Sequence, residues 1–238
     1  MPVLPKRCPH GREAVAVRLP CLNVATVHVF LIRHGETALN AAGVLRGQLD
    51  VPLNATGEAQ AWALGELFRA VPLGAVVSSP LRRAADTARP VALSSSAPLE
   101  IDDRLGDRFY GEWAGHALEQ VEEQFGSIDA APFVEARELV EARAGAALLD
   151  AVAAVEGATA RQRGDSPGEG SPLGVALVTH DAVLRALLGR LLPVLDPVTL
   201  ELATGSWSEL VSGPGEQWQA TRLGQVPASG CRPTLRTG

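Results

Sequence analysis

Three places in this chain put arginine or histidine where a buried strand ends. Arg33-His34-Gly35 follows the apolar run Val27-His28-Val29-Phe30-Leu31-Ile32. Ser78-Ser79-Pro80-Leu81-Arg82-Arg83 follows Ala75-Val76-Val77, and His180 closes Val175-Ala176-Leu177-Val178-Thr179. A single Arg-His pair reads equally well as a packed histidine beside a solvated arginine. Its recurrence at several strand ends changes the reading. Guanidinium groups bind phosphate oxygens as a planar fork, and a neutral imidazole can attack phosphorus to give a covalent intermediate. The residues between Ser78 and Arg83 add helix-start chemistry, in which free N–H groups and the positive dipole end favour an anion. If these strands are neighbours, the cations converge on a dianionic phosphoryl group.

The elements that must position them are legible as runs and periods. Short apolar runs rich in β-branched residues are buried strands of a partly parallel sheet, and Leu99-Glu100-Ile101 is a third, shorter one. Asn54-Ala55-Thr56-Gly57-Glu58 starts a helix whose apolar face is Ala63, Leu64, Leu67 and Phe68. Two helical stretches are expected between Leu118 and Val155, broken near Gly126 and Pro132. Asp181 is expected to cap a helix carrying Val183, Leu184, Leu187 and Leu188. Thr204–Val211 and Gln217–Thr221 alternate as a terminal hairpin. Strands alternating with helices define an α/β class.

Four stretches resemble the motifs of the histidine phosphatase superfamily, the phosphoglycerate-mutase-like clan. They are Arg33-His34-Gly35-Glu36-Thr37 with Asn40, Gly43 and Gly47; Ser78-Ser79-Pro80-Leu81-x-Arg83-Ala84; Asp107 ahead of Tyr110-Gly111-Glu112-Trp113; and Val178-Thr179-His180. The resemblance covers residues 27–226. It implies a three-layer α/β/α fold with a mostly parallel central sheet. It also implies hydrolysis of a small phosphorylated metabolite through a phosphohistidine, with no metal and no cofactor. By this resemblance His34 is the nucleophile, Arg33, Arg83 and His180 clamp the phosphate, and Asp107 is the general acid. Asn40, Arg46, Gly47, Tyr110, Glu135 and Asp181 line the substrate site, while Arg82 falls on a variable position and faces the surface. Asp107 stands where family members commonly carry glutamate. Phosphoglycerate mutases share these motifs and add a basic insertion after the third. Here Glu119–Phe133 contains no lysine or arginine, which favours transfer to water. The alternatives are a mutase-type phosphotransferase and a phosphate-binding module with a weakened acid.

Composition narrows the field further. A net charge of −6 disfavours a nucleic-acid partner. Lys6 is the only lysine, an arginine bias with abundant alanine and glycine that suggests a GC-rich bacterial genome. Cys8, Cys21 and Cys231 show neither CxxC spacing nor an even count, so no disulfide framework or zinc site is expected. No apolar run approaches the roughly 18 residues that span a bilayer, and a cytoplasmic protein without a membrane partner is expected. Residues 1–26 read as a flexible N-terminal extension, 27–226 as the domain, 156–173 as a disordered loop within it, and 227–238 as a tail.

Overall fold

The computed structural model describes residues 27–163, 174–212 and 217–227. The expected extension, the loop from residue 164 to 173, nearly all of the tail and all three cysteines lie outside them. In chain order the described elements are β1 (His28–Arg33), α1 (Ala38–Ala41), α2 (Ala55–Phe68), β2 (Leu73–Ser78), α3 (Arg82–Ser95) and β3 (Leu99–Ile101). They continue with α4 (Leu118–Phe125), α5 (Arg137–Arg163), β4 (Gly174–Thr179), α6 (Asp181–Leu191), β5 (Trp207–Ser212) and β6 (Trp218–Gln225).

One six-stranded sheet runs in the order β3-β2-β4-β1-β5-β6. β3, β2, β4 and β1 are parallel, and the β5–β6 hairpin adds antiparallel to β1. Register aligns Arg33 with Thr179 and Ser78 with Val178, so β1, β4 and β2 finish side by side. That shared carboxyl edge is where an open α/β sheet takes its ligand. Every residue of β4 is buried, as expected of a central strand covered on both faces.

The period-2 alternation of β1 assigns its side chains to two cores. Val29 and Leu31 pack with Val140, Leu148, Leu184 and Leu188 of α5 and α6. Phe30 and Ile32 pack with Leu64 and Phe68 of α2 and with Ala84, Ala88 and Val91 of α3. The three-layer arrangement follows. The buried stripe of α2 is Ala61, Leu64, Gly65 and Phe68: Leu64 and Phe68 of the expected face are kept, Ala61 and Gly65 take the places expected of Ala63 and Leu67, and Leu67 is exposed.

Two sequence readings are corrected. No loop begins at residue 156, because α5 continues through Arg163, and residues 164–173 lie outside the described residues. Val152, Val155 and Thr159 keep helical spacing and stay buried, which outweighs the linker-like composition that begins at Glu156. Asp181 is the first residue of α6 and not its cap; His180 occupies the cap position.

The turn after β1 lies main chain on main chain against the start of α2. A Cβ on Gly35 would sit 2.5 Å from Gly57 O, and one on Gly57 would overlap Glu36 O. Asn54 caps α2 by accepting from Gly57 N–H at 2.9 Å, and its own N–H donates to Glu36 O at 2.9 Å. Gly57→Ala should therefore destabilise the fold by about 1–3 kcal/mol or more, the range for overpacking. Gly157→Ala, with only the tip of Arg161 nearby, should stabilise it by about 0.5–1 kcal/mol. Denaturant unfolding of both variants checks the contrast.

Candidate active site

His34 follows the last residue of β1, and its Nδ1 lies 2.6 Å from Gly35 O. A carbonyl only accepts, so Nδ1 carries the proton and the lone pair is on Nε2. That Nε2 is buried and has no partner. Gly35 N–H donates to Thr87 Oγ1 at 2.9 Å, and Thr87 Oγ1 donates to Arg83 O at 2.7 Å, which ties the histidine turn to α3. Asn40 stabilises the same turn, its side-chain oxygen accepting from Thr37 N–H and Oγ1 at 3.0 and 2.8 Å.

Arg83 is fully buried. Its Nη1 donates to Leu49 O at 2.8 Å, and its Nη2 donates to Gly47 O at 2.7 Å and to Asp107 Oδ2 at 2.9 Å. Arg82 is exposed, and its N–H donates to Asp50 Oδ1 at 2.7 Å. Gly47 thus contributes a carbonyl that fixes Arg83. Arg33 is held by Leu202 O and by Asp181, whose Oδ1 lies 3.3 Å away. Asp181 is shared with Arg185 at 2.8 Å. Arg46 donates from Nη1 to Val44 O at 2.9 Å.

The ring of His180 lies 5.1 Å from that of His34, centroid to centroid. Its Nε2 is 2.8 Å from Ser79 Oγ, which also accepts from Leu81 N–H at 3.3 Å. The serine hydroxyl is thereby available to donate to Nε2, a pairing that puts the histidine proton on Nδ1. Nδ1 is 3.8 Å from Asp107 Oδ2 and has no hydrogen-bond partner.

Among the described residues the buried side-chain atoms without a partner are Arg33 Nε, His34 Nε2, Arg46 Nε, Arg83 Nε, His180 Nδ1 and Ser206 Oγ. Buried polar groups are normally satisfied. Here five of the six exceptions are nitrogens of one cluster, four of them on groups that can donate to an anion.

A cavity of about 770 Å³ opens onto this cluster, and Arg33, Asn40, Arg46, Asp107, Tyr110 and Asp181 line it. His34, Arg83 and His180 lie behind that lining with no exposed surface. Glu135, expected in the substrate site, is not on its wall. Its carboxylate takes Arg143 Nε at 2.8 Å and Phe109 N–H at 3.1 Å, so it braces the Asp107 segment.

Electrostatics follow from burial. Burial holds both histidines well below the usual imidazole range, and the Arg83 charge pushes them the same way. Both are neutral at ordinary pH, as an imidazole nucleophile requires. Burial raises Asp107 above the usual carboxylate range, against the opposing pull of Arg83 and Arg46. A phosphoryl dianion arriving beside it would raise it further. Burial would also raise Glu135, but the bonds from Arg143 and Phe109 N–H hold it low.

Sequence reasoning missed several supports. Arg143 sits in α5 among charges read as a solvated face, yet its guanidinium donates to Arg104 O and Gly106 O at 2.7 Å and to Asp107 O at 3.2 Å. Its eight-residue spacing from Glu135 was the available signal. Gln60 of α2 accepts from Glu36 N–H at 2.8 Å and donates to Thr204 Oγ1 at 3.2 Å. It clamps the loops on either side of His34, and nothing local marks it.

Groups buried in the neutral form resist protonation. A histidine whose folded pKa is depressed binds fewer protons folded than unfolded below about pH 6.5. Its stability contribution is therefore complete above that pH and declines as pH falls towards the folded value. Unfolding free energy should drop by up to about 1.4 kcal/mol per pH unit for each such histidine below pH 6.5. Wild type and His34→Gln, unfolded by denaturant at pH 7.0 and 5.5, should differ in that slope; equal slopes would contradict the neutral burial of His34.

With the geometry in place, the likenesses to known proteins can be stated. The family model for the histidine phosphatase superfamily, branch 1, matches residues 29–225. A glucosyl-3-phosphoglycerate phosphatase from Mycolicibacterium vanbaalenii is 35% identical over 187 residues, covering 76% of this chain and 82% of that protein. A probable phosphoglycerate mutase from Salmonella choleraesuis is 35% identical over 98 residues, covering 41% of this chain and 46% of that one. The native structure of a mycobacterial glucosyl-3-phosphoglycerate phosphatase superimposes with a TM-score of 0.70 at 26% identity, over 84% of this chain and 99% of that one. On its sheet order, its cluster of arginines and histidines and this match, the chain belongs to the histidine phosphatase superfamily, branch 1.

Proposed function

We propose that the chain hydrolyses a small phosphomonoester through a phosphohistidine at His34. The observation that carries the reading is the set of unpartnered buried nitrogens on Arg33, His34, Arg46, Arg83 and His180. One phosphoryl group would satisfy them together: three guanidiniums and the His180 Nδ1–H on its oxygens, and His34 Nε2 in line with phosphorus.

In the first step the His34 Nε2 lone pair forms the N–P bond as the bond from phosphorus to the leaving oxygen breaks. Gly35 O, already bonded to Nδ1–H, steadies the positive charge that develops on the ring. Asp107, whose affinity for a proton burial raises and an arriving dianion would raise further, gives its proton to the leaving oxygen. The guanidiniums neutralise charge on the equatorial oxygens, the main requirement of phosphoryl transfer. In the second step the Asp107 carboxylate takes a proton from water, whose oxygen attacks phosphorus and frees His34. Asp107 supports the acid role although it is a methylene shorter than glutamate, since its carboxyl reaches Arg83 and lies 3.8 Å from His180.

The relative named a glucosyl-3-phosphoglycerate phosphatase matches over most of its length, the one named a probable mutase over less than half. That contrast, and a Glu119–Phe133 segment without lysine or arginine, favour water as the acceptor. A small phosphorylated substrate supports a cytoplasmic location, since such charged compounds are retained there. No helix among the described residues is long and apolar enough to cross a membrane.

Incubation with a phosphorus-labelled substrate should leave label on the protein that survives alkali and is lost in acid, and His34→Ala should abolish both label and turnover. Label on serine or aspartate would defeat the assignment. For Asp107→Asn, single-turnover phosphorylation by alkyl phosphates should slow by roughly 10²-fold, the usual acid–base contribution. With p-nitrophenyl phosphate, whose leaving group needs no proton, the same step should slow far less. Equal slowing would make Asp107 a positioning residue.

A further inference from the structure

We propose that Asp181 and Arg185 form a positioning pair, which aims the open edge of the Arg33 guanidinium at the phosphoryl group. The inference rests on the phosphomonoesterase reading above and adds two residues that act on the phosphate only through Arg33.

A carboxylate on the wall of a site for a dianion calls for a reason, because like charges repel. Asp181 is such a group. It lines the cavity with Arg33 and Arg46, and as an anion it cannot itself hold phosphoryl oxygens. Both of its ion-pair partners among the described residues are arginines. Its Oδ1 lies 3.3 Å from Arg33 Nη1. Arg185 holds both of its oxygens, Nε donating to Oδ2 at 2.8 Å and Nη2 to Oδ1 at 3.3 Å. The two residues are spaced i,i+4 at the start of α6, so helix geometry brings them together.

The effect on Arg33 follows from which of its nitrogens are taken. Its contacts with Leu202 O and Asp181 both go through Nη1. Nε is buried and has no partner. The Nε–Nη2 edge, a planar fork that suits an oxyanion, is therefore left open. A single acceptor at Nη1 would let the group turn, and Asp181 supplies the second. Arg185 steadies both acceptors. Its Nη1 also donates to Pro197 O, and to Val198 O and Leu200 O at 3.2 Å, in the loop that carries Leu202. Without Arg185 the carboxylate would be drawn to the free N–H groups of the first turn of α6, which has no side-chain cap. The fold does not depend on the pair, since Leu202 is buried and Gly205 N–H donates to His34 O at 3.0 Å.

Charge and position predict opposite signs for Asp181→Asn. Removing a negative charge from the wall tightens anion binding if only the field counts, whereas losing an anchor of Arg33 weakens it. The readouts are KM for p-nitrophenyl phosphate and the Kd of inorganic phosphate by calorimetry. Asp181→Asn should raise both by roughly tenfold, the scale of a hydrogen bond to a charged group, and Arg185→Gln should do the same. In an Arg33→Lys background, which has no fork, each change should shrink below about threefold, the coupling expected of residues that act as one unit. Neither constant depends on the fraction of folded enzyme, so loss of fold cannot imitate the result. Arg185 lines the cavity too, and the Arg33→Lys background separates action through Arg33 from direct contact. Constants that fall or stay unchanged in either variant, or that rise as much in the Arg33→Lys background, overturn the positioning role. Hydrolysis of p-nitrophenyl phosphate by wild type would in that case leave the phosphatase reading standing. Its absence in wild type overturns both.

Discussion

A guanidinium with no exposed surface is the constraint around which this molecule is arranged. Arg83 lies at the start of α3, between the loop of residues 47–49 and the carboxylate of Asp107. A buried charge must be surrounded by acceptors or lose its place. The carbonyls of Gly47 and Leu49 meet that demand, and in doing so they draw the loop carrying Arg46 over the site. Asp107 completes the shell and is itself held by Arg108 N–H and, through its carbonyl, by Arg143. Deleting the charge would release a loop, an acid and a neighbouring cation together.

The same arrangement explains why the histidines are neutral. Each is buried close to guanidiniums that repel a further proton. The field that would grip an anion is thus the field that keeps His34 unprotonated. Asp107 experiences the opposite balance, with burial outweighing its cationic neighbours. Two titratable types are pushed in opposite directions within a few ångströms, the pattern expected where one group attacks and another supplies a proton.

The strands were legible because covered parallel strands are continuous apolar runs, and β1, β2 and β4 end on the residues that drew attention. The β5–β6 hairpin was visible as alternation. The contacts that hold the site in place were not visible, because they join distant residues. Gln60 bridges Glu36 and Thr204, and Thr87 bridges Gly35 and Arg83. Gln60 looks locally like an ordinary helix residue, and Thr87 belongs to the same motif as Arg83 with nothing in its neighbours to show what it bridges. Arg143 was hidden differently, since a charge on a long helix has the same sequence signature whether it faces water or a row of carbonyls. The α5 boundary was missed because the stretch from Glu156 has linker composition, whereas burial of Val155 and Thr159 keeps the helix going.

The contact between Gly35 and Gly57 bears on how such an enzyme can change its diet. There the His34 turn rests on backbone atoms, and the next links, Gly205 N–H to His34 O and Arg33 N–H to Ser206 O, are backbone as well. Side-chain drift elsewhere has little leverage on His34. The opposite wall, from α4 to the start of α5, is assembled from side chains on short turns and a helix end. Heritable variation can therefore remodel the preference for one metabolite over another on that wall, while His34 keeps its address.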